Sequence, residues 1–588
     1  MTLAAVVLLA AAAWAAGAIA LTRVDWSGAW SYEQIALEAT AGLGLVALLL
    51  AVLALADKFS YALPILVGLA LAGLARAATF RHASPLRKSS GPSALWIAAA
   101  IAILCAVLGA IAPVTDDDAL AFGLPCAHHI AATGQLRVWS DQARSMFPQA
   151  QMVLLAFVIR LGGDRLGAVT AVEWLLCAGV ASALARRVCA RAEHVPFALA
   201  IALGSPVMAF QVASAKEDLF VYATGLASTF FLLRDDAPAD ACAAGLCAGL
   251  AAGAKYSGLG FVLAAVAWSL RPRRDWRAGP AVAVALCAAI GGGLWYWLNW
   301  HRFGNPIAPF VFGARGTHFD AALAGAFGDS FGAGRSVFDF VAAPIRIVVE
   351  PQRFSGRGNL FNPIAYAGVG GVALGAVRRR HGALLFTATV LYVGWFSSLQ
   401  NTRLLAPAVA LLAPAAADLL VPIVARRRAL TLAGGLALAL SFGIVAAVGV
   451  VRAARYWRDP MSYLQRETQR YDDIDWMNRN LDPARDRVAS NVKVIGYLTI
   501  PSLILDPTRQ LEIAGEEFDP PHRLLGALRR QHVTHVFGAA GDFDALATDV
   551  RLVHANDRSR LGGVRFFREP PTEATAVYEI LDPSPRSR

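Results

Sequence analysis

The run Thr115-Asp116-Asp117-Asp118-Ala119-Leu120 sets three adjacent carboxylates directly after an apolar stretch, 93–112. Like charges so close repel one another and are costly to hold near hydrocarbon, so the cluster needs either open water or a use. In open water it is a solvated loop cap. At the mouth of a membrane cavity, burial and like charge would lift one pKa toward neutrality, making a general base or a metal ligand. Lys216-Glu217-Asp218 is a second acidic point, between two further apolar stretches. Alone it is a polar turn. Facing the same cavity as the first, it completes a carboxylate pair carried on separate helices, an arrangement suited to acid–base or metal work.

The cations around these acids suggest what they act on. Lys255, in Ala254-Lys255-Tyr256-Ser257, interrupts the apolar stretch 245–270. It either snorkels to the interface or holds the phosphate head of a lipid carrier. Arg403, in Gln400-Asn401-Thr402-Arg403-Leu404-Leu405-Ala406-Pro407, stands at the start of another apolar run, where its guanidinium would pair bidentately with phosphate oxygens. Arg302 joins them as a phosphate candidate, and Asn305, with Glu217, is a candidate for the acceptor or a metal. Both belong to the polar exit Asn299 to Pro309, whose Gly-Asn-Pro run marks a bend. His128 and His129 are adjacent and so point in different directions on a helix, a poor start for a metal site.

The elements that must position these groups are membrane helices. Of 588 residues 57% are hydrophobic and 16% charged, more apolar surface than a soluble fold of this length buries. The apolar runs are long and uninterrupted, unlike the short alternating strands of a barrel. They fall near 3–22, 36–56, 61–78, 93–112, 166–185, 195–212, 219–233, 240–254, 257–270, 279–298, 361–377, 382–398, 404–424 and 429–451, which predicts about fourteen spans. The first, Leu3 to Leu21, lacks a basic flank and reads as a retained span. A net charge of +11 could signal nucleic acid, but the arginines cluster between spans, where they set topology, and no nucleic-acid partner is expected. Six of seven cysteines lie in or beside apolar segments, so neither a disulfide framework nor a zinc site follows.

Basic clusters at Arg81, Arg87 and Lys88; Arg186, Arg187 and Arg191; Arg271, Arg273, Arg274 and Arg277; Arg378 to Arg380; and Arg426 to Arg428 are all cytoplasmic by the positive-inside rule. One orientation satisfies all five if 147–162 lies at the outer surface without spanning. Both termini are then outside, as are 113–148, Ser214–Asp218, 299–360 and Ser398–Arg403, the segments that carry the unusual polar residues. Trp295, Tyr296, Trp297 and Trp300 mark an interfacial belt at one exit.

After Arg452 the composition changes. Arg487–Val492, Leu503–Leu505 and Thr534–Phe537 predict short strands, with a helix over Pro521–Gln531. The domains expected are additional N-terminal transmembrane helices over 1–92, a transmembrane catalytic module over 93–451 and a small α/β domain outside the membrane over 452–588. That last domain has no phosphate loop or nucleophile elbow, which suits recognition or packing.

In this order and sidedness the motifs resemble those of the GT-C superfamily of membrane glycosyltransferases, near the bacterial relatives of protein O-mannosyltransferases and lipid A aminoarabinose transferases. The matching features are the acidic loop from Thr115 through Gly134, the turn ending at Asp218, the Ala-Lys-Tyr-Ser stretch at Lys255, Arg-Leu-Leu-Ala-Pro at Arg403, and Asn299 to Pro309. The likeness covers about 93–450. Phe122-Gly123 stands where relatives often carry Tyr-His, and Gln151 where a glutamate is common. Both departures bear on substrate identity more than on reaction class.

The resemblance implies a polyprenyl-phosphate sugar donor, an envelope acceptor (lipid, polysaccharide or protein), and inversion by direct displacement. Asp118 or Asp117, with Asp116 beside them, would be the base; Asp218 would orient the acceptor or a metal; Lys255, Arg403 and Arg302 would neutralise phosphate. No cofactor is demanded, although a divalent metal would suit the acids. High alanine and arginine use suggests a GC-rich bacterial genome, hence an inner membrane with the termini and the C-terminal domain in the periplasm. The competing readings are a transporter or lipid flippase, against which the polar residues gather on one face, and a scaffold protein.

Overall fold

The structure, a computed structural model, describes residues 1–26, 31–79, 93–204, 206–234, 237–271, 279–311, 313–319, 331–355, 381–426, 428–561 and 572–581, with positions 322, 325 and 329. The expected span 361–377 and all the basic residues at 81–88, 273–277 and 378–380 lie outside the described residues, as does Arg427. The chain divides into two compact units. One comprises Met1–Ala112, Pro148–Trp297 and Ala326–Ala453, the other Pro113–Phe147, Leu298–Gly325 and Ala454–Arg588.

Among the described residues the first unit is helical, and its helices follow the apolar runs: α1 Thr2–Ala20, α2 Ser31–Leu55, α3 Ala62–Thr79 and α4 Ser93–Ala110. Because α5 lies in the second unit, the series resumes at α6 Ala150–Arg160, α7 Gly167–Val188, α8 Val195–Leu203, α9 Pro206–Val212, α10 Asp218–Arg234, α11 Pro238–Ala254 and α12 Leu259–Ser269, followed by α13 Gly279–Phe303. Further helices cover Gly382–Ser397, Thr402–Ala425 and Arg428–Arg458. Six stretches among the described residues are long and apolar enough to cross a membrane, and shorter apolar helices accompany them.

Lipid is the solvent these helices require. Leu63, Val67, Leu71 and Leu74 on α3 are exposed at helical spacing, as are Ile97, Ile101 and Leu104 on α4 and Val282, Leu286 and Ile290 on α13. Apolar stripes of that length are tolerated in hydrocarbon and aggregate in water.

Close packing inside the unit rests on small residues. A Cβ added to Gly17 of α1 would fall 1.7 Å from the Glu38 carbonyl oxygen, and one on Gly42 of α2 would fall 1.6 Å from that of Ala13. The two backbones meet only because both positions are glycine. The expected single span over 195–212 is corrected to two helices. Proline has no N–H and disfavours helical backbone in the residue before it, so Pro206 begins a new helix after the Gly204 break. With 11 residues, about 16 Å of helix, α6 is too short to cross a hydrocarbon core alone.

The second unit carries a five-stranded sheet ordered β2-β1-β3-β5-β4. Its strands are β1 Val488–Ser490, β2 Ser502–Ile504, β3 His535–Ala539, β4 Val550–Arg560 and β5 Thr572–Ile580. The first three run parallel, and β3–β5–β4 pair antiparallel. Neighbouring residues alternate between two cores, as the pleat requires. Ala489 and Val536 pack with Leu525 and Leu528 of the helix Pro521–Arg530, while Val488 and Phe537 pack with Ile474 and Met477 of Tyr471–Asn480.

The acidic loop belongs to this unit and is gripped by the sheet domain. Tyr497 donates from its hydroxyl to the Val114 carbonyl at 2.7 Å. Farther along, the Leu511 N–H donates to Ser140 O at 2.7 Å and the Ala143 N–H to Arg509 O at 2.8 Å. Ser140 Oγ donates to Glu512 at 2.6 Å, and Arg487 holds the same carboxylate through both oxygens at 2.9 Å. After the acids the chain makes a π-helical turn, Ala119–Gly123, and then α5, Leu124–Thr133, which ends at Gly134 with φ 72°.

Candidate functional site

In the first unit, α10 and α11 are consecutive and pack against each other, so the start of one lies beside the end of the other. Asp218 opens α10, where a carboxylate complements the exposed amides of a helix start. Lys255 follows α11 in extended backbone, φ −160° and ψ 146°, before the short 3-10 turn Tyr256–Gly258. The break turns the lysine side chain onto the acids, with Nζ 2.7 Å from Asp218 Oδ1 and 2.8 Å from Glu217 Oε1. An ammonium has three donors, and two are engaged here.

Arg403 enters from a third element. Its Nε is 4.0 Å from Asp218 Oδ2, within ion-pair range and beyond a hydrogen bond. The preceding turn is fixed from several sides. Arg403's N–H donates to Asn401 Oδ1 at 3.1 Å, Trp395 Nε1 to Asn401 O at 2.9 Å, and Gln400 Nε2 to Gly334 O at 2.8 Å. Lys216 is buried with its neighbours, so three cations surround two carboxylates in a place largely closed to water. Charges survive such burial only when paired.

The other end of the same unit has different pairs. Arg186 binds Glu33 at 2.6 Å, Arg234 binds Asp240 at 3.0 Å, and Asp418 lies 2.6 Å from His194 Nδ1 and 3.3 Å from His381 Nε2. The arginine-rich ends expected in the cytoplasm are thus opposite the Lys255 cluster along α7, α10 and α11.

In the second unit, the three aspartates differ. Asp116 Oδ1 accepts the Ala119 N–H at 3.0 Å and so caps the turn. Asp117 is exposed, whereas Asp118 is half-buried and close enough to Arg509 for its charge to act on that guanidinium. Burial pushes the Arg509 guanidinium below its ordinary pKa, against the opposing pull of Asp506. Phe122 carries two cations, with Arg144 4.4 Å and Arg509 4.6 Å from its ring centroid.

Asn305 is buried, and its amide is committed to its own turn. Nδ2 donates to Phe310 O at 2.9 Å and Gly313 O at 2.7 Å, and Oδ1 accepts the Ile307 N–H at 3.0 Å. Arg302 is exposed at the end of α13. His129 pairs with Asp141 at 2.9 Å and stacks on Trp139, while burial, with His129 beside it, lowers the His128 pKa. Among the described residues no three His, Cys, Asp or Glu side chains are arranged to hold a metal.

The structure therefore assembles Glu217, Asp218, Lys255 and Arg403 in one cluster, and Asp118 with Arg509, Phe122 and Arg144 in another. Sequence reasoning missed Arg144 and Arg509. Phe122 was visible as a departure, but nothing local marks it as a platform for cations. It also missed Glu173 of α7, fully buried beside Gln151, the position where a glutamate is common.

No family model matches this chain, and no curated protein matches it in sequence. Solved structures do. ArnT from Cupriavidus metallidurans in the apo state superposes with a TM-score of 0.54 at 15% identity, covering 84% of this chain and 99% of that one. The same protein bound to undecaprenyl phosphate gives 0.52 at 14% identity with the same coverage. A looser match is the archaeal oligosaccharyltransferase AglB from Archaeoglobus fulgidus, in complex with an inhibitory peptide and a dolichol-phosphate. Its TM-score is 0.46 at 12% identity, over 76% of this chain and 69% of that one. The fold is that of ArnT, and in this chain it is a polytopic helical membrane fold with a small C-terminal sheet domain.

Proposed function

We propose that this protein is a membrane glycosyltransferase that moves a sugar from a polyprenyl-phosphate-linked donor to an envelope acceptor at the outer face of a bacterial inner membrane. The observation that carries the reading is the buried set of Lys255, Asp218, Glu217 and Arg403, at the end of the helical unit away from its arginine-rich ends. A transporter would hold such groups near the middle of its spans. Here they cap helices, where the phosphate head of a lipid carrier would lie. The shared fold adds support, since ArnT has been captured with undecaprenyl phosphate.

The chemistry is one displacement. The acceptor hydroxyl or amine attacks the anomeric carbon, forming a new bond there as the bond from that carbon to the phosphate oxygen breaks. The electron pair leaves on the polyprenyl phosphate, and the acceptor proton passes to Asp118. Inversion follows from attack opposite the leaving group. Phosphate is already a fair leaving group, so fixed cations matter more than a general acid. Arg403 and the third donor of Lys255 receive the developing charge, and Asp218 with Glu217 hold the lysine in place.

The test is transfer of label from a polyprenyl-phosphate sugar in membranes carrying wild type, Asp118→Asn or Lys255→Ala. Both variants are expected to lose transfer, and wild-type turnover in both would end this assignment. Solute counterflow without sugar transfer would favour a transporter instead.

A further inference from the structure

Phe122 is the meeting point of two guanidiniums from distant parts of the second unit. Arg144 comes from the loop after α5 and also rests 5.2 Å from the ring centroid of Phe147; Arg509 comes from the sheet domain. Arginines are seldom brought together on a buried ring, because each repels the other and neither is fully hydrated. The pair needs negative charge. Arg509 has it at Nε in Asp506, 2.7 Å away, and from farther off in Asp118, but Arg509 Nη1 is buried with no hydrogen-bond partner. Among the described residues the Arg144 guanidinium has aromatic contacts and no carboxylate within ion-pair distance. A stacked guanidinium keeps its N–H donors in the ring plane, directed outward, the geometry that grips phosphate or carboxylate.

We propose that Arg144 and Arg509, stacked on Phe122 beside Asp118, form an oxyanion-binding site that takes a phosphate or carboxylate group of the sugar acceptor. This rests on the glycosyltransferase reading and adds to it the acceptor's chemical class: a headgroup that is anionic next to the hydroxyl or amine to be glycosylated. The site is contributed partly by the sheet domain, which gives that domain a role in acceptor recognition. The grip of Ser140 and Ala143 on 509–512 holds the two arginines in register.

The experiment uses the full-length protein in detergent, titrated with inorganic phosphate against chloride at matched ionic strength and followed by thermal unfolding. Wild type should show a saturable rise in Tm, and Arg509→Gln and Arg144→Gln should each weaken the apparent affinity by about tenfold or more, as loss of a charge-assisted hydrogen bond does. Asp118→Asn should keep the phosphate response while losing sugar transfer, which separates failure of this site from failure of the enzymatic reading. An unchanged phosphate response in both arginine variants overturns the proposal and leaves the stack as packing. If Arg509→Gln does not fold, Arg144→Gln decides alone. A parallel titration with undecaprenyl phosphate distinguishes the sources. Its binding should be insensitive to Arg509→Gln, and a tenfold loss there would give the site to the donor and overturn the acceptor assignment.

Discussion

The Lys255 ammonium lies 2.7 Å from Asp218 Oδ1, tying the end of α11 to the start of α10 in a place where all partners are largely buried. The same nitrogen holds Glu217 at 2.8 Å, so one cation bridges two carboxylates. Removing the cation takes the nearest positive charge from two desolvated acids, and for Asp218 leaves the more distant Arg403 at 4.0 Å. Lys255→Ala should therefore cost on the order of 3 kcal/mol of stability as well as activity. Restoring part of the balance with Lys255→Ala/Asp218→Asn should recover some of that loss without restoring transfer. Thermal unfolding in detergent beside the transfer assay checks both, and equal melting of single and double variants would show that the ion pair carries no stability.

The three adjacent aspartates should separate cleanly. Asp116 caps the turn through Ala119, so Asp116→Ala should lower stability by about 1 kcal/mol. Asp117 is exposed, and Asp117→Asn should leave turnover within a few-fold of wild type. Asp118→Asn should reduce turnover by about 10²- to 10⁴-fold with little change in melting, the range for loss of a general base. A large activity loss in Asp117→Asn and none in Asp118→Asn would move the base by one residue.

Much of the fold was legible because the bilayer imposes a crude rule. A helix that crosses it must be long and apolar, and α1, α2, α7 and the helix Thr402–Ala425 read plainly on that basis. The break at Pro206 was also written locally but was overridden by the apolar run around it. The hairpin β4–β5 was not legible, since β4, Val-Arg-Leu-Val-His-Ala-Asn-Asp-Arg-Ser-Arg, is largely exposed and lacks the alternation that marks a strand. In the two clusters, Asp118 on one side and Asp218, Lys255 and Arg403 on the other stood out because charge beside apolar runs is conspicuous. Arg144 and Arg509 did not, because an arginine in a polar loop is ordinary until the fold sets it on Phe122.

Glycines at the α1–α2 contact should tolerate no side chain. A Cβ on Gly42 would overlap the Ala13 carbonyl at 1.6 Å, and backbone cannot swing aside as a flexible side-chain tip can. The displaced contact also carries a polar network, in which Trp14 Nε1 and Gln34 Nε2 donate to the buried Glu38 at 2.9 and 2.8 Å. Gly42→Leu should thus abolish recovery of monodisperse protein in detergent, whereas Gly68→Ala, on α3 with open space around it, should be neutral. Size-exclusion profiles of the two variants test the difference.

The sheet domain should lose stability on acidification through His535. This residue begins β3, opposite Glu579 of β5, with Nδ1 2.8 Å from Thr534 Oγ1 and 3.7 Å from Asp486 Oδ1. Burial pushes the imidazole pKa below its ordinary value, and the nearby acids Asp486 and Glu579 only partly oppose that. The folded domain therefore prefers the neutral ring, while the unfolded chain takes up a proton at about pH 6.5. Stability from this group is fully present above that value and is lost as pH falls through it toward the depressed folded pKa. The steepest loss for one proton is about 1.4 kcal/mol per pH unit. Hydrogen exchange of β3 amides, corrected for intrinsic rates, should show protection declining between pH 7 and 5 in wild type. His535→Gln, which cannot titrate, should show a flatter profile, and identical pH profiles in the two proteins would show that another group sets the acid limit of the domain.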